Sequence, residues 1–292
     1  MRKGSIVLTI LAGFLGTGAD SCTPEPPAKL KVGLMVHLEG RSFPTESLFD
    51  DYADLLSEYA TLFETHGAKL TWESKEPTLA SILYDNNVLL ALEGRGHGVG
   101  VHADLGYNGG APYTQAEFVS DLALRRAQLD LTGVQNRHVS GICSELDWVT
   151  AAANAGFEFT TGAVAYCYMS LPYDERPEAY RDCATPATCH QPISDDIAEL
   201  IHPWRMADGA TWTTADPAGP LVLLPSAGGL ACHEEEHGGT SGSGCEFTTG
   251  DIESYTAELE EAIAAVEPGM VNQYYVSWSL GEALDPDLLD QW

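Results

Sequence analysis

Lys31-Val32-Gly33-Leu34-Met35-Val36-His37-Leu38-Glu39 decides the fold together with a matching stretch, Gly98-Val99-Gly100-Val101-His102-Ala103-Asp104-Leu105. Each reads as a β-strand. In the first, the even positions Val32, Leu34, Val36 and Leu38 are aliphatic, and the odd positions end in His37 and Glu39. In the second, Val99, Val101, Ala103 and Leu105 share one face, and Gly98, Gly100, His102 and Asp104 the other. Side chains alternate along a strand, so each His points the same way as the acid two residues on. The aliphatic faces suit burial under helices. Two strands ending in this way can gather His37, Glu39, His102 and Asp104 into a metal site at the carboxyl edge of a parallel sheet.

Outward from these strands, helix and strand signals alternate. Pro44-Thr45-Glu46 opens a helix to about His66, with a 3.6-residue stripe of Leu48, Phe49, Tyr52, Leu55, Leu56, Tyr59, Leu62 and Phe63. Lys69–Trp72 predicts a second strand, and residues 78–92 a helix. A helix over 114–131, a strand over 138–143, a helix over 146–155 and a strand over 157–161 follow. Residues 165–200, rich in Pro, Tyr, Asp and Cys, read as an insertion. Leu221–Leu224, the helix Ile252–Val266 and the strand Val271–Trp278 complete the series. Such alternation predicts an α/β fold with a parallel sheet, helices outside it, and function at the carboxyl ends of the strands.

The chain has 292 residues, with 14 Lys+Arg against 43 Asp+Glu and a net charge of −29. That field makes nucleic acid and anionic lipid poor partners. Arg2 and Lys3 followed by the apolar run Ile6–Leu15 predict a secretory signal over residues 1–21, too short for a membrane span. Cleavage after Ala19 is one reading. The other makes Cys22 the lipidated first residue of a bacterial lipoprotein, tethered through residues 22–30 to a domain over 31–292. Seven Cys is an odd number for an exported chain, and lipidating Cys22 leaves six. Sequence proximity pairs Cys183 with Cys189 and Cys232 with Cys245, leaving Cys143 for Cys167. The chain is expected outside the cytoplasm, on the outer or cytoplasmic membrane, or else secreted or periplasmic. Any membrane contact would run through the lipid alone.

Gly96-His97-Gly98-Val99-Gly100-Val101-His102 resembles the second motif of the polysaccharide deacetylase family, G-H-E-I-G-x-H, whose last His binds the metal. Val36-His37-Leu38-Glu39-Gly40 aligns with that family's T-F-D-D-G, and Ala155-Gly156-Phe157 with its small-Gly-aromatic step. The resemblance spans roughly residues 31–165. It implies an irregular (β/α) barrel of about seven parallel strands, with disulfide-clipped loops. It also implies a divalent metal, zinc above others, held by Glu39 and His102 in the family's places. The chain departs from the family at four points. Leu38 stands at the catalytic base, Gly106 at the second metal His, Ser140-Gly141-Ile142-Cys143-Ser144 at the Arg-Pro-Pro motif, and Tyr274–Trp278 carries no His.

Asp147, just after the strand ending near Cys143, is the candidate base for a rebuilt site. His202-Pro203-Trp204-Arg205 offers an aromatic platform and a cation, and Trp278 a second platform, for a carbohydrate. His97 precedes its strand and reads as structural. His233-Glu234-Glu235-Glu236-His237 matches a zincin motif in letters, but it runs straight into Gly238-Gly239 and reads as an acidic loop. The resulting expectation is a monomeric, metal-dependent hydrolase that removes acetyl groups from an envelope or extracellular carbohydrate. Two alternatives stand beside it: a carbohydrate-binding protein without catalysis, and a glycosidase using Glu39, Asp104 and Asp147.

Overall fold

The computed structural model describes residues 28–106, 114–183, 185, 189–231, 246–280 and 284–292. Its strands are β1 (Leu30–Leu38), β2 (Thr71–Ser74), β3 (Gly98–His102), β4 (His138–Ser140), β5 (Phe159–Thr160), β6 (Trp204–Met206), β7 (Leu221–Leu223) and β8 (Asn272–Ser279). The helices are α1 (Glu46–Thr65), α2 (Glu76–Leu83), α3 (Val88–Gly94), α4 (Gln115–Asp130), α5 (Trp148–Asn154), α6 (Ile197–Ile201), α7 (Thr249–Ala264) and α8 (Pro286–Gln291). All eight strands form one curled sheet in the order β6-β7-β5-β4-β3-β2-β1-β8. It is an eight-stranded half-barrel rather than the irregular (β/α) barrel of about seven parallel strands expected. Every pairing is parallel except β6 with β7. A parallel connection needs a crossover, normally a helix. The link over residues 207–220 contains none, so β6 folds back antiparallel.

The free edge of β8 is covered by the segment after β7. The Ala227 N–H donates to the Tyr275 carbonyl (2.9 Å), the Ser277 N–H to Gly228 (3.1 Å) and the Leu230 N–H to Ser277 (2.8 Å). The sheet ends are thus bridged by a loop, and β8 is buried from Asn272 to Trp278. Two further boundaries differ from the sequence reading. Strand β2 runs on to Ser74, past the expected stop at Trp72. The helix expected over 78–92 is two helices, separated by a turn at Asp85 in the left-handed region (φ 53°), with the Asn87 side chain capping α3.

The main core lies between the outward face of the sheet and the helices. Val36, Leu38, Trp72, Val101, Val139, Tyr274 and Val276 are buried there with Phe49, Leu56, Phe118, Leu122 and Trp148. Burying each such side chain stabilises the fold by about 1.5–3 kcal/mol. Helix α1 supplies Phe49, Tyr52, Ala53, Leu56, Ala60 and Phe63 to it, while Leu48 stays 51% exposed. The opposite, concave face of the sheet is polar. Register sets His37 beside Glu73, Glu73 beside Gly100, and His102 beside Ser140. Among the described residues, no helix is long and apolar enough to cross a membrane.

Two disulfides shape the insertion, as the spacing predicted. Cys143–Cys167 (Cα–Cα 4.7 Å) ties it to the end of β4, and Cys183–Cys189 (5.9 Å) clips it internally. Its two ends run side by side: the Ala165 N–H donates to Gln191 and the Tyr166 N–H to Cys189, both at 2.9 Å. The expected signal segment, Cys22, the Cys232–Cys245 pair and the run His233–His237 lie outside the described residues.

Candidate functional site

The concave face opens at the carboxyl ends of the strands into a cavity of about 310 Å³. His37 and Glu39 enter from the end of β1, and His102 and Asp104 from the end of β3. Ser140 comes from β4, Ser277 from β8, Ser226 from the covering loop, and Tyr166, Thr185 and His190 from the insertion. The structure therefore brings the four expected ligand residues to one place. Neither acid is on a strand: β1 ends at Leu38 and β3 at His102. Asp104 reaches the cavity through a left-handed turn (φ 46°) instead of strand alternation. Gly141 makes room for that turn, since a Cβ there would sit 2.8 Å from the Asp104 nitrogen.

Beneath the cavity lies Glu73, wholly buried and central to the concave face. Its Oε1 accepts from the Thr161 hydroxyl and from His138 Nε2 (2.9 Å). Its Oε2 accepts from the Ser140 hydroxyl (2.7 Å) and from His37 Nε2 (2.8 Å). A carboxylate offers about four lone-pair positions, and here all four are taken. Burial pushes the Glu73 carboxyl up, but His37 and His138 outweigh it and hold it well below the ordinary carboxylate range. Glu73 is thus a saturated internal anion.

Closer to solvent, His102 Nε2 lies 3.1 Å from Glu39 Oε2, and the His102 ring stacks on His37 at 4.6 Å between centroids. With a proton between them, the hydrogen bond with His102 lowers the Glu39 carboxyl to about 2, against the opposing effect of burial. Asp104 is ion-paired with Lys75 (2.5 Å), which also lies near Glu39. Two overlapping groups have donor atoms within 4.8 Å of one another: His37, Glu73 and His102, and Glu39, His102 and Asp104. The hydrogen-bond accounting separates them. Glu73 has no acceptor position left, and His37 Nε2 is spent on it. Glu39, His102 and Asp104 fit a divalent ion better. Two ligands on one tetrahedral ion lie roughly 3.3–3.6 Å apart for bonds of about 2.0–2.2 Å, close to the observed 3.1 Å.

Ser140, His102 and Glu39 also line up as a nucleophile, base and acid would, with His102 Nδ1 2.8 Å from Ser140 Oγ. Ser140 gives its only proton to Glu73, so it has none for His102 to remove.

The other expected site residues are not brought to this cavity. The Asp147 side chain caps α5, accepting from the Thr150 N–H (3.0 Å) and the Gly209 N–H (2.7 Å), and it does not line the cavity. Trp278 pairs in register with Val36 and so faces the helices, packed on Phe63 and Trp292. Trp204 lines a separate cavity with Tyr168, Glu199, His202 and Trp212, its indole N–H donating to the Trp212 carbonyl (2.7 Å). Arg205 is exposed and donates to the Gly219 carbonyl. His97 is structural, as expected: its Nδ1 accepts from the Leu70 N–H (3.0 Å) and its Nε2 contacts Glu64.

Sequence reading missed Glu73, His138, Thr161, Tyr275 and His190. Glu73 and His138 sit on the inward parity of their strands, a signal available once the strand bounds are right. The Tyr275 hydroxyl accepts from the Gly162 N–H across the curl (2.6 Å), and Gly33 leaves its Cβ room. His190 is delivered only by the paired ends of the insertion. It keeps a solvent-facing edge, and its pKa is lowered first by lost solvation and then by His37. Compared with family models, curated proteins and solved structures, the chain returns no match.

Proposed function

We propose that this chain is a divalent-metal hydrolase of the polysaccharide deacetylase kind, removing acetyl groups from a carbohydrate outside the cytoplasm. The observation that carries this reading is the convergence of Glu39, His102 and Asp104 at the mouth of a polar cavity on the carboxyl edge of the sheet. One imidazole and two carboxylates suit zinc or a similar ion. Bound there, such an ion activates water near neutral pH and polarises a carbonyl.

The chain's own residues supply the rest. Ser226, Ser277, Thr185 and Tyr166 line the cavity with hydroxyls suited to a sugar ring. The volume is at the small end for ligand sites, about 300–1,000 Å³, and matches one sugar unit rather than a long glycan. Lys75 holds Asp104 and offsets the negative charge of the ligand set. Glu73 is saturated, Asp147 caps a helix and Leu38 has no titratable group, so this reading assigns proton transfer to His190, which lines the cavity outside the ligand set. The same facts count against a two-carboxylate glycosidase: Glu39 and Asp104 are the only carboxylates lining the cavity among the described residues, Asp104 is ion-paired with Lys75, and Glu39 is set against His102 Nε2. The leader and Cys22 suit an exported lipoprotein.

Elemental analysis of the purified chain and of a Glu39→Ala/His102→Ala variant tests this reading, with acetate release from acetylated oligosaccharides measured alongside. One metal per chain, absent from the variant, with chelator-sensitive acetate release, is the expected result. No metal even after incubation with zinc would overturn it. Metal uptake with sugar binding but no acetate release would leave the binding-protein alternative.

A further inference from the structure

The hydrogen bonds around Glu73 determine more than which residues are spent. They determine which nitrogen of His102 carries the proton. A carboxylate only accepts, so the Ser140 hydroxyl must donate to Glu73 Oε2 at 2.7 Å. That hydroxyl has one proton. The contact between Ser140 Oγ and His102 Nδ1 at 2.8 Å must therefore be an Nδ1–H donating to Ser140. In the neutral ring, Nε2 is then bare. It faces Glu39 Oε2 at 3.1 Å, acceptor against acceptor, a contact that becomes favourable only with a proton or a cation between them. On the other side of Glu73 the same reasoning makes His138 Nε2 and His37 Nε2 donors.

We propose that Glu73 is a positioning residue: acting through Ser140, it holds His102 in the Nδ1–H tautomer and so presents the bare Nε2 to the mouth of the cavity. A metal-binding imidazole characteristically donates its other N–H in this way, and losing that support costs about 10–100-fold in metal affinity. Here the support is indirect, a hydroxyl set by a buried anion that also fixes His37, His138 and Thr161. The tautomer stands on the hydrogen bonds alone. Its consequence for metal affinity rests on the proposed function.

Two-bond proton–nitrogen correlation spectra of the metal-free, histidine-labelled protein test it directly, because they separate protonated from bare ring nitrogens. His102→Gln identifies the His102 signals. In the parent, the neutral form of His102 is expected to carry its proton on Nδ1. In Ser140→Ala, Nδ1–H loses its acceptor while Glu39 remains, so the proton is expected to move to Nε2. In Glu73→Met, Ser140 is released to donate to Nδ1, with the same result. Zinc affinity is expected to fall about 10–100-fold in both variants. Should four buried donors without Glu73 keep Glu73→Met from folding, Ser140→Ala carries the test, since it leaves Glu73 three donors. An Nε2–H tautomer in the parent, or an unchanged tautomer in Ser140→Ala, overturns the proposal even if zinc binds. An Nδ1–H parent that switches in Ser140→Ala but takes up no zinc supports the proposal and removes the metal reading instead.

Discussion

Gly100→Ala tests how the concave face is assembled. In register, Gly100 stands next to Glu73, and the His138 ring lies over the glycine to reach that carboxylate. A Cβ on Gly100 would sit 2.9 Å from His138 Cγ and closer still to its Nδ1, so the imidazole has to move. The backbone there is not left-handed, and alanine is excluded by sterics alone. Losing a hydrogen bond to a charged acceptor costs about 1.5–3 kcal/mol. Overpacking adds about 1–3 kcal/mol, and the stiffer unfolded chain returns about 0.4–1 kcal/mol. The net loss is roughly 2–5 kcal/mol, or a fall in Tm of roughly 5–15 °C for a chain of this size. Urea and thermal unfolding followed by circular dichroism measure it. The decisive comparison is the same substitution in a His138→Ala background, where the ring is gone and alanine fits. There the cost should vanish or change sign. If the two substitutions add to within about 0.5 kcal/mol, His138 does not occupy the space Gly100 leaves, and the assembly described here is wrong.

Asp147→Ala is expected to lower stability by about 1–2 kcal/mol, through loss of the α5 cap and of the acceptor for Gly209, while zinc content stays at the parent level. Urea unfolding and elemental analysis on the same preparation check both halves; a selective loss of metal would restore Asp147 to the site. Glu64 gives a pH prediction. Its carboxyl is lowered by Arg95 first, then Lys69, so its contribution to stability is present in full above the ordinary value of 4.5. That contribution fades as pH falls toward the lowered folded value. Glu64→Gln should therefore flatten the acid side of the stability profile, and a variant that keeps the parent's slope between 4.5 and the lowered folded value would refute the assignment.

Much of the fold was legible because it follows from local pattern. Strands β1 and β3 announce themselves by aliphatic alternation, and α1 by a 3.6-residue stripe whose members Phe49, Tyr52, Leu56 and Phe63 are buried as read. The cysteine spacing anticipated both disulfides within the described residues. Glu73 was missed for an instructive reason. Glu73-Ser74-Lys75-Glu76 looks like a polar turn, so the strand appeared to stop at Trp72, one residue before the buried anion. A charged residue on a strand reads as solvated unless its partners are known, and these come from β1, β4 and the residue after β5.

The sequence by itself determined that an α/β sheet would form and that two of its strands would carry His37 and His102 to one edge, because alternation is a property of neighbours along the chain; Asp104 arrives there through a left-handed turn that alternation does not describe. It could not determine that the sheet stays a half-barrel with an antiparallel edge, which depends on how residues 207–220 return and on the loop that covers β8. Nor could it separate ligand from support among His37, Glu39, Glu73 and His102. That distinction lies in which lone pairs and protons are already spent, and they are spent across strands up to 88 residues apart. Only the packed structure holds those groups within hydrogen-bonding distance, and so only it makes Glu73 an internal anchor and leaves Glu39 and His102 facing the cavity.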